Sequence, residues 1–302
     1  MSRISTAMLF DRGIASMLNQ QSKLSETQLQ IATGKRILTP KDDPVGAAYA
    51  LDLRTAISQT EQYQRNAERA YSRLELQESV LKGVDDLIPR IKELTVQGLN
   101  DTNSIGDRRA IAEELRQIND ELMALANTKD SNGEYIFAGY DADAAPFSNP
   151  ADGIFAYSGD AGTRTLQISP TRQIQDRENG FDVFMDIDES TGGKRNLFET
   201  VHAIIAGMEA DNPDSIYLDD LNLIQDHVAD LRTRGGARLN TIDEQKNVNS
   251  EFLLTLQTAL SDTEDLDLAE AIGRFEQELV ALQAAQQSFN MVQGLSLFNF
   301  LR

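Results

Sequence analysis

Apolar residues and glutamines recur every three or four positions at both ends of the chain. This spacing places them on one stripe of a helix, and a strict seven-residue repeat makes the stripe a contact surface for another helix. We call these positions the seam residues. Near the N-terminus they are Phe10, Ile14, Met17, Gln21, Leu24, Gln28 and Ile31, and near the C-terminus they are Leu268, Ile272, Phe275, Leu279, Leu282, Gln286 and Phe289, followed by the apolar Leu297, Phe298, Phe300 and Leu301.

Neither helix can bury such a stripe alone, so each needs the other end of the chain, another copy, or both. The glutamines at seam positions have two interpretations. A polar seam residue reduces stability and fixes the register or the number of strands. Alternatively, these helices tolerate a hydrated seam near a surface. Residues 1–36 hold five basic and two acidic side chains, whereas residues 265–302 hold two basic and five acidic ones. This charge difference favours pairing of the two ends.

Composition excludes several classes of protein. The chain has 302 residues and a formal net charge of −20, which disfavours binding to nucleic acid because that binding depends on Lys and Arg contacts to phosphates. Aromatic residues make up only 6%, and Trp is absent, which predicts an aliphatic, helical core. No apolar run approaches eighteen residues, so we expect no membrane insertion. Cysteine is absent, which removes disulfides and thiolate chemistry.

The order of patterns along the chain predicts a mainly α fold, a long antiparallel helical bundle or coiled-coil rod with a small inserted β-rich domain. The loop after the first helix contains Asp42 and Asp43 as candidate N-caps, with Pro44 suited to a first helical position. We predict three domains. Residues 1–40 with 265–302 form a terminal coiled-coil domain, residues 41–132 with 197–264 form a helical rod domain, and residues 133–196 form a β-rich outer domain.

Short runs between glycines predict the strands of the inserted domain. The segment Tyr157 to Thr163 between two of these runs predicts a hairpin turn. The candidate strands are Glu134–Tyr140, Gly153–Tyr157, Arg164–Ile168 and Phe181–Ile187.

The candidate catalytic and metal-binding residues are few, and we favour a surface role for each. His202 and His227 are the only histidines and lack metal-ligand spacing. The segment starting at Asp186 resembles a calcium loop but has Leu197 at the twelfth position, where an acidic ligand is required. The pairs at 35–36 and 108–109 favour intersubunit or helix-end charges over nucleic-acid contacts. We therefore expect no enzyme activity, metal or cofactor.

Two long segments resemble proteins of the flagellin superfamily. The first is TGKRILTPKDDPVGAA, residues 33–48, which includes Gly34, Lys35, Arg36, Asp42, Asp43 and Pro44. The second is QGLSLFNFLR at residues 293–302. Within this superfamily, GEYIFAGY at 133–140, followed by Pro146-Phe147, is similar to the hook-associated protein 3 family, as are YSGDAGTR at 157–164 and the C-terminal residues 297–301. The alternative within the superfamily is a flagellin-type filament subunit.

The resemblance implies a structural function at the junction between flagellar hook and filament. It implies a ring of copies that adapts hook-associated protein 1 to flagellin, with the terminal helices in the inner tube and the β-rich domain outside. The N-terminus lacks the pattern of a secretory signal, so conventional rules predict a cytoplasmic protein. The resemblance instead implies export through the flagellar type III apparatus, after binding to a cytoplasmic export chaperone.

Overall fold

Six helices and three small strand pairs make up the computed structural model, which describes the backbone of residues 2–298 and the side chains of Met8 and residues 10–291. The predicted fold class, mainly α with a small β-rich insertion, is confirmed. The helices are α1 Ser2–Thr33, α2 Pro44–Gly98, α3 Ile105–Ala126, α4 Leu197–Glu209, α5 Ile216–Glu264 and α6 Leu268–Phe298.

Helix ends follow local chemistry that the sequence displays. Helix α2 begins at Pro44, and the Asp43 carboxylate accepts a hydrogen bond from the Gly46 amide at 2.9 Å, which confirms the predicted N-cap. Ser104 and Asp107 cap α3 reciprocally, each accepting a hydrogen bond from the backbone of the other. Helix α5 continues through Gly235 and Gly236, although glycine lowers helix propensity by about 1 kcal/mol.

The chain divides into two compact units. The terminal unit comprises residues 1–59 and 253–302, and the central unit comprises residues 60–252. The boundaries fall within α2 and α5, because each of these long helices contributes residues to both units. The three-domain division based on the sequence remains a prediction.

The strands form three separate antiparallel pairs in the central unit. They are β1 Phe147–Ala151 with β2 Ile154–Tyr157, β3 Thr165–Ser169 with β4 Arg172–Gln175, and β5 Ile187–Asp188 with β6 Lys194–Arg195. Strands β2 and β3 match two of the predicted runs. The prediction was wrong at Glu134–Tyr140, which consists mostly of turns with one isolated bridge, and at Phe181–Ile187, where a short π-helix covers Phe181–Met185.

The predicted hairpin turn between Tyr157 and Thr163 was also wrong, since β2 pairs with β1 and β3 pairs with β4. Asp160 gives this segment a different structure. Its carboxylate accepts hydrogen bonds from the amides of Tyr140, Asp141 and Gly162, at 2.7 to 3.2 Å. These bonds lower the pKa of Asp160. The 157–163 segment is therefore a connection between β2 and β3 that is hydrogen-bonded to the turn at Tyr140 and Asp141.

An aromatic cluster lies in the main core of the central unit. Phe137, Phe184 and Phe198 are at most 1% exposed, and the ring of Phe184 lies edge-on to Phe137 at 5.1 Å between centroids. Aliphatic residues of α2, α3, α4 and α5 surround this cluster. A second, smaller core places the β3–β4 pair against α2 and α5 through Ile168, Ile174 and Ile242. The short strands are thus held by packing on helices, because isolated two-stranded pairs are marginally stable.

Candidate assembly surfaces

Helices α1 and α6 pack against each other in the terminal unit. The rings of Phe10 and Phe289 lie 4.9 Å apart between centroids. Gly13 allows this approach, because a Cβ atom at that position would lie 3.1 Å from the Phe289 ring. The opposite end of the pair is marked by the bridge between Lys35 and Asp265, so the two helices run antiparallel.

The seam residues divide into a packed group and an exposed group. Ile14, Met17, Leu24, Ile31, Phe275, Leu282 and Phe289 are partly buried, whereas Phe10, Gln21, Gln28, Leu268, Ile272, Leu279 and Gln286 are exposed. Residues outside the predicted seam also pack inward, including Thr27, Gln30 and Ala271. The face that packs within this chain is rotated from the predicted stripe by roughly 50°, at about 100° per residue.

Two predicted features of the seam stay predictions. Gln21 and Gln28 are exposed, so nothing within this helix pair assigns them a register-setting contact. The side chains of Leu297 and Phe298, and the residues Phe300 and Leu301, lie outside the described part of the chain.

The terminal helices leave a band of large apolar side chains uncovered within the chain. Ile272 is 49% exposed and Leu279 is 38% exposed, although both continue the apolar stripe of α6. Isolated exposed apolar residues are ordinary, but nine of them on one pair of helices favour a surface that binds another protein. Sequence periodicity identified only part of this band. Its members on α1 are Met8, Phe10, Leu18 and Leu29, and those on α6 are Leu268, Ile272, Leu279, Val280 and Met291.

The 33–48 loop is fastened to the end of α5. Gly34 follows α1 with a φ of +69°, a left-handed conformation that glycine adopts without strain, and its carbonyl accepts the Leu266 amide at 2.9 Å. The Arg36 amide donates to the Glu264 carbonyl at 2.6 Å, and the Arg36 guanidinium donates to the Thr263 carbonyl at 2.7 Å. The motif therefore connects α1 and α2 to the junction of α5 and α6.

One cation from the loop and one from α2 converge on Glu264. Its carboxylate accepts from Lys35 Nζ at 3.0 Å and from Arg54 Nη2 at 2.7 Å. Burial alone would raise the pKa of Glu264, but the two cations outweigh that effect and lower it. The pKa of Asp43 is lowered by the Gly46 amide and by Arg36, and that of Asp42 by the Thr39 amide, although burial acts in the opposite direction on both. Both carboxylates thus hold the loop in their ionised forms.

Glu264→Gln should weaken the acid dependence of stability in the terminal unit. Because folding lowers the Glu264 pKa below its ordinary value of 4.5, the stabilising effect is fully present above that pH and is lost as the pH falls through the folded-state pKa. The variant should be less stable than wild type near neutral pH and should lose less stability on acidification.

Thermal unfolding followed by circular dichroism between about pH 7 and pH 3 measures this difference. Glu270→Gln is the matched control, because the Glu270 side chain is 75% exposed and, among the described residues, pairs only with Arg274 on the same helix. An identical pH dependence in wild type and Glu264→Gln would contradict the assigned role.

The 133–140 segment contributes buried side chains to the central unit. Ile136, Phe137 and Ala138 are buried, and the Gly180 amide donates to the Phe137 carbonyl at 3.2 Å. Gly139 has a φ of +74° and lies where a Cβ atom would be 2.6 Å from the Asp160 carbonyl oxygen. This part of the family resemblance is therefore explained by packing and by one tight turn.

The residues considered for chemistry have structural contacts. His227 Nε2 lies 2.9 Å from the Asp182 carbonyl, and His202 packs beside Phe155. Lys194 pairs with Asp186 and Asp188 at 3.4 and 2.9 Å. Among the described residues, no group of three His, Cys, Asp or Glu side chains is placed to hold a metal ion. In the same part of the chain, every helix is too short or too polar to cross a membrane.

Known proteins resemble this chain in sequence and in fold. Residues 4–142 match the bacterial flagellin N-terminal helical region. Flagellar hook-associated protein 3 of Salmonella typhimurium is 31% identical over 99% of this chain and 100% of its own length. A putative flagellar hook-associated protein from Vibrio parahaemolyticus shares the fold, with a TM-score of 0.66 and 23% identity over 74% of this chain and 100% of the other. A flagellar junction protein from Legionella pneumophila has a TM-score of 0.60 and 18% identity over 72% and 99%.

These matches, with the paired terminal helices, place the chain among the flagellin-like structural proteins of the bacterial flagellum. The chain belongs to the flagellar hook-associated protein 3 family, and its role in the flagellum is structural. Flagellin is a more distant relative, since the Bacillus subtilis protein is 24% identical over 89% of this chain. The expected family and function are confirmed.

Proposed function

We propose that copies of this chain form a ring that connects hook-associated protein 1 to the first layer of flagellin. The exposed apolar band on α1 and α6 carries the proposal, because it offers more surface than the pairing of these two helices covers. A ring of parallel subunits needs two different faces on each subunit, so part of the band would meet one neighbour and part another. The seam residues and the 33–48 loop are the proposed assembly site.

The proposed location requires export of the chain from the cell. The absence of cysteine suits a protein that meets an oxidising exterior, since unpaired thiols there would cross-link copies. We infer export by the flagellar type III apparatus, with a cytoplasmic chaperone covering the apolar C-terminal region beforehand. The proposal assigns no catalysed reaction, cofactor, nucleic-acid contact or membrane insertion to the chain.

A flagellin-type filament subunit is the alternative function. The two functions differ in the extent of self-assembly, because a filament subunit adds to its own kind without limit. A junction protein that is purified and concentrated alone should not form long filaments. Long filaments from this chain by itself would favour the alternative.

Ile272→Gln combined with Leu279→Gln tests the apolar band. Burial of one such side chain contributes about 1.5–3 kcal/mol, so the double variant should reduce the number of filaments per cell by about tenfold or more. The two residues are 49% and 38% exposed, so thermal unfolding of the purified chain should change little. Electron microscopy of cells producing the variant gives the filament count.

Ile272→Val combined with Leu279→Met is the matched control, since it keeps both positions apolar. This variant should retain filaments close to the wild-type number. Normal filaments on cells with the glutamine variant would contradict the proposed assembly surface.

A further inference from the structure

A basic groove lies on the central unit of this acidic chain. It encloses about 970 Å³. Five cations and two carboxylates, those of Glu68 and Asp130, line it. The whole chain, by contrast, has a formal net charge of −20. We call this surface the basic groove, and its cations are Arg65, Arg69, Arg73, Lys129 and Arg164.

Three segments bring these cations together. Arg65, Arg69 and Arg73 are spaced by four residues on α2, so they share one face of that helix. Lys129 follows α3, and Arg164 directly precedes β3. The packing of the β3–β4 pair on α2 places Arg164 at this face, since Asn66 Nδ2 donates to the Gln167 carbonyl at 2.9 Å.

Two of the five cations in the basic groove lack a carboxylate partner among the described residues. Arg73 and Arg164 both contact the Asp176 carboxylate, at 2.8 and 2.6 Å, and Arg73 also pairs with Glu134 at 3.2 Å. Arg65 lies 3.9 Å from the carboxylate of Glu61. Lys129 Nζ lies over the Tyr135 ring, 4.5 Å from its centroid, and has no hydrogen bond or ion pair to the side chains of the described residues. Arg69 is exposed and has no hydrogen bond or ion pair to any described residue. The groove therefore presents the uncompensated charges of Arg69 and Lys129 to a partner.

An acidic patch lies elsewhere on the same unit. Asp182, Asp188 and Asp226 are exposed, and they line one surface together with Asp186. Lys194 neutralises part of this charge through Asp186 and Asp188. The central unit thus carries two oppositely charged surfaces built from different segments.

We propose that the basic groove of one copy binds the acidic patch of a second copy. The proposal rests on the ring described above, in which each subunit presents two different faces to its neighbours. Opposite charges across such a contact select the correct partner and orientation. A net charge of −20 would otherwise make neighbouring copies repel one another.

Charge reversal on one surface, followed by the opposite reversal on the other surface, tests the contact. Arg65→Glu, Arg69→Glu and Lys129→Glu together should lower the fraction of hooks that carry this protein by about tenfold, because exposed pairs contribute little singly and add across a surface. Asp182→Lys, Asp188→Lys and Asp226→Lys together should have a similar effect. All six changes in one chain should restore the fraction to within about twofold of wild type.

Lys82→Glu, Arg109→Glu and Arg172→Glu form the matched control, since these three cations are exposed and lie outside the groove. Immunolabelling of isolated hooks measures the fraction, and circular dichroism checks that each variant folds. Arg69→Glu alone provides a milder variant if the triple change unfolds, because Arg69 has no partner among the described residues to lose.

Thiol cross-linking gives a second readout, because the chain has no cysteine of its own. A chain carrying Arg69→Cys and Asp188→Cys should yield cross-linked dimers and larger species from isolated flagella with a short bifunctional maleimide. Each single cysteine variant should yield none of the larger species.

The outcomes separate this proposal from the proposed function. Restoration by the sixfold variant supports the contact between copies. Loss in the basic triple variant without restoration would overturn the second-copy assignment and indicate another flagellar partner for the groove. Normal labelling of hooks in both triple variants would overturn the groove contact and leave the ring standing. Absence of the wild-type chain from hook tips would overturn the proposed function itself.

Discussion

Phe198→Ala should lower the free energy of unfolding of the central unit by about 3–5 kcal/mol, the cost typical of removing a fully buried phenylalanine. Phe198 is fully buried, and its ring centroid lies 5.6 to 5.8 Å from those of Phe155, Phe147 and Phe184. The substitution removes one ring from a cluster that joins α4, β1, β2 and the π-helix, so the neighbours cannot all close the cavity. Urea unfolding followed by circular dichroism measures the loss.

Phe181→Ala is the matched control for this variant. Phe181 is 44% exposed and contacts the cluster at its edge, through Tyr157 at 6.0 Å between ring centroids. Its replacement should cost about 1 kcal/mol or less, because much of its surface is already in water. Equal losses for the two variants would contradict the assignment of Phe198 to the centre of the core.

Arg108→Ala should destabilise the central unit by about 3 kcal/mol, because it breaks a buried network of charged hydrogen bonds. Arg108 is 8% exposed. Its Nε donates to the Gly98 carbonyl at 3.0 Å, at the end of α2, and its Nη1 pairs with the Asp211 carboxylate. The substitution would remove the Arg108 donor from the Gly98 carbonyl, which is the last carbonyl of α2. Thermal and urea unfolding of the full chain measure the change.

Arg109→Ala provides a control at the neighbouring position, since Arg109 is exposed and has the same charge. Its replacement should change stability by less than about 0.5 kcal/mol. The two arginines of the 108–109 pair thus differ in their surroundings. Arg108 is buried at a helix end, whereas Arg109 is exposed to solvent. A loss at Arg109 equal to that at Arg108 would show that charge alone, and not the buried network, is responsible.

Local chemistry in the sequence was sufficient to predict the helices and several of their ends. Apolar periodicity identified α1, α2 and α6, and the Asp43–Pro44 pair marked the start of α2. These features depend on residues a few positions apart, so the sequence displays them directly.

The β-rich part was predicted less well because tertiary contacts decide its structure. The run at 181–187 is rich in aromatic and β-branched residues, as strands are, yet residues 181–185 fold as a π-helix whose buried Val183 and Phe184 enter the helical core. The 157–163 segment has turn residues, but Asp160 bonds across to Tyr140 and Asp141. A pattern within one segment contains no information on such distant partners.

The assembly surfaces were also predictable only where they depend on residues close in sequence. The four-residue spacing of Arg65, Arg69 and Arg73 could have indicated a basic helix face, whereas the addition of Lys129 and Arg164 depends on the fold. The seven-residue repeat located the apolar stripes of α1 and α6. It could not determine which edge of each stripe would pack within the chain, because the apolar band is wider than one helix contact.

Electron microscopy of cells that lack this chain tests the central claim most directly. The structural role at the hook–filament junction predicts hooks without filaments and flagellin released into the medium, with filaments restored by the wild-type gene supplied in trans. Normal filaments on the mutant hooks, in a cell with no second copy of the gene, would contradict the account.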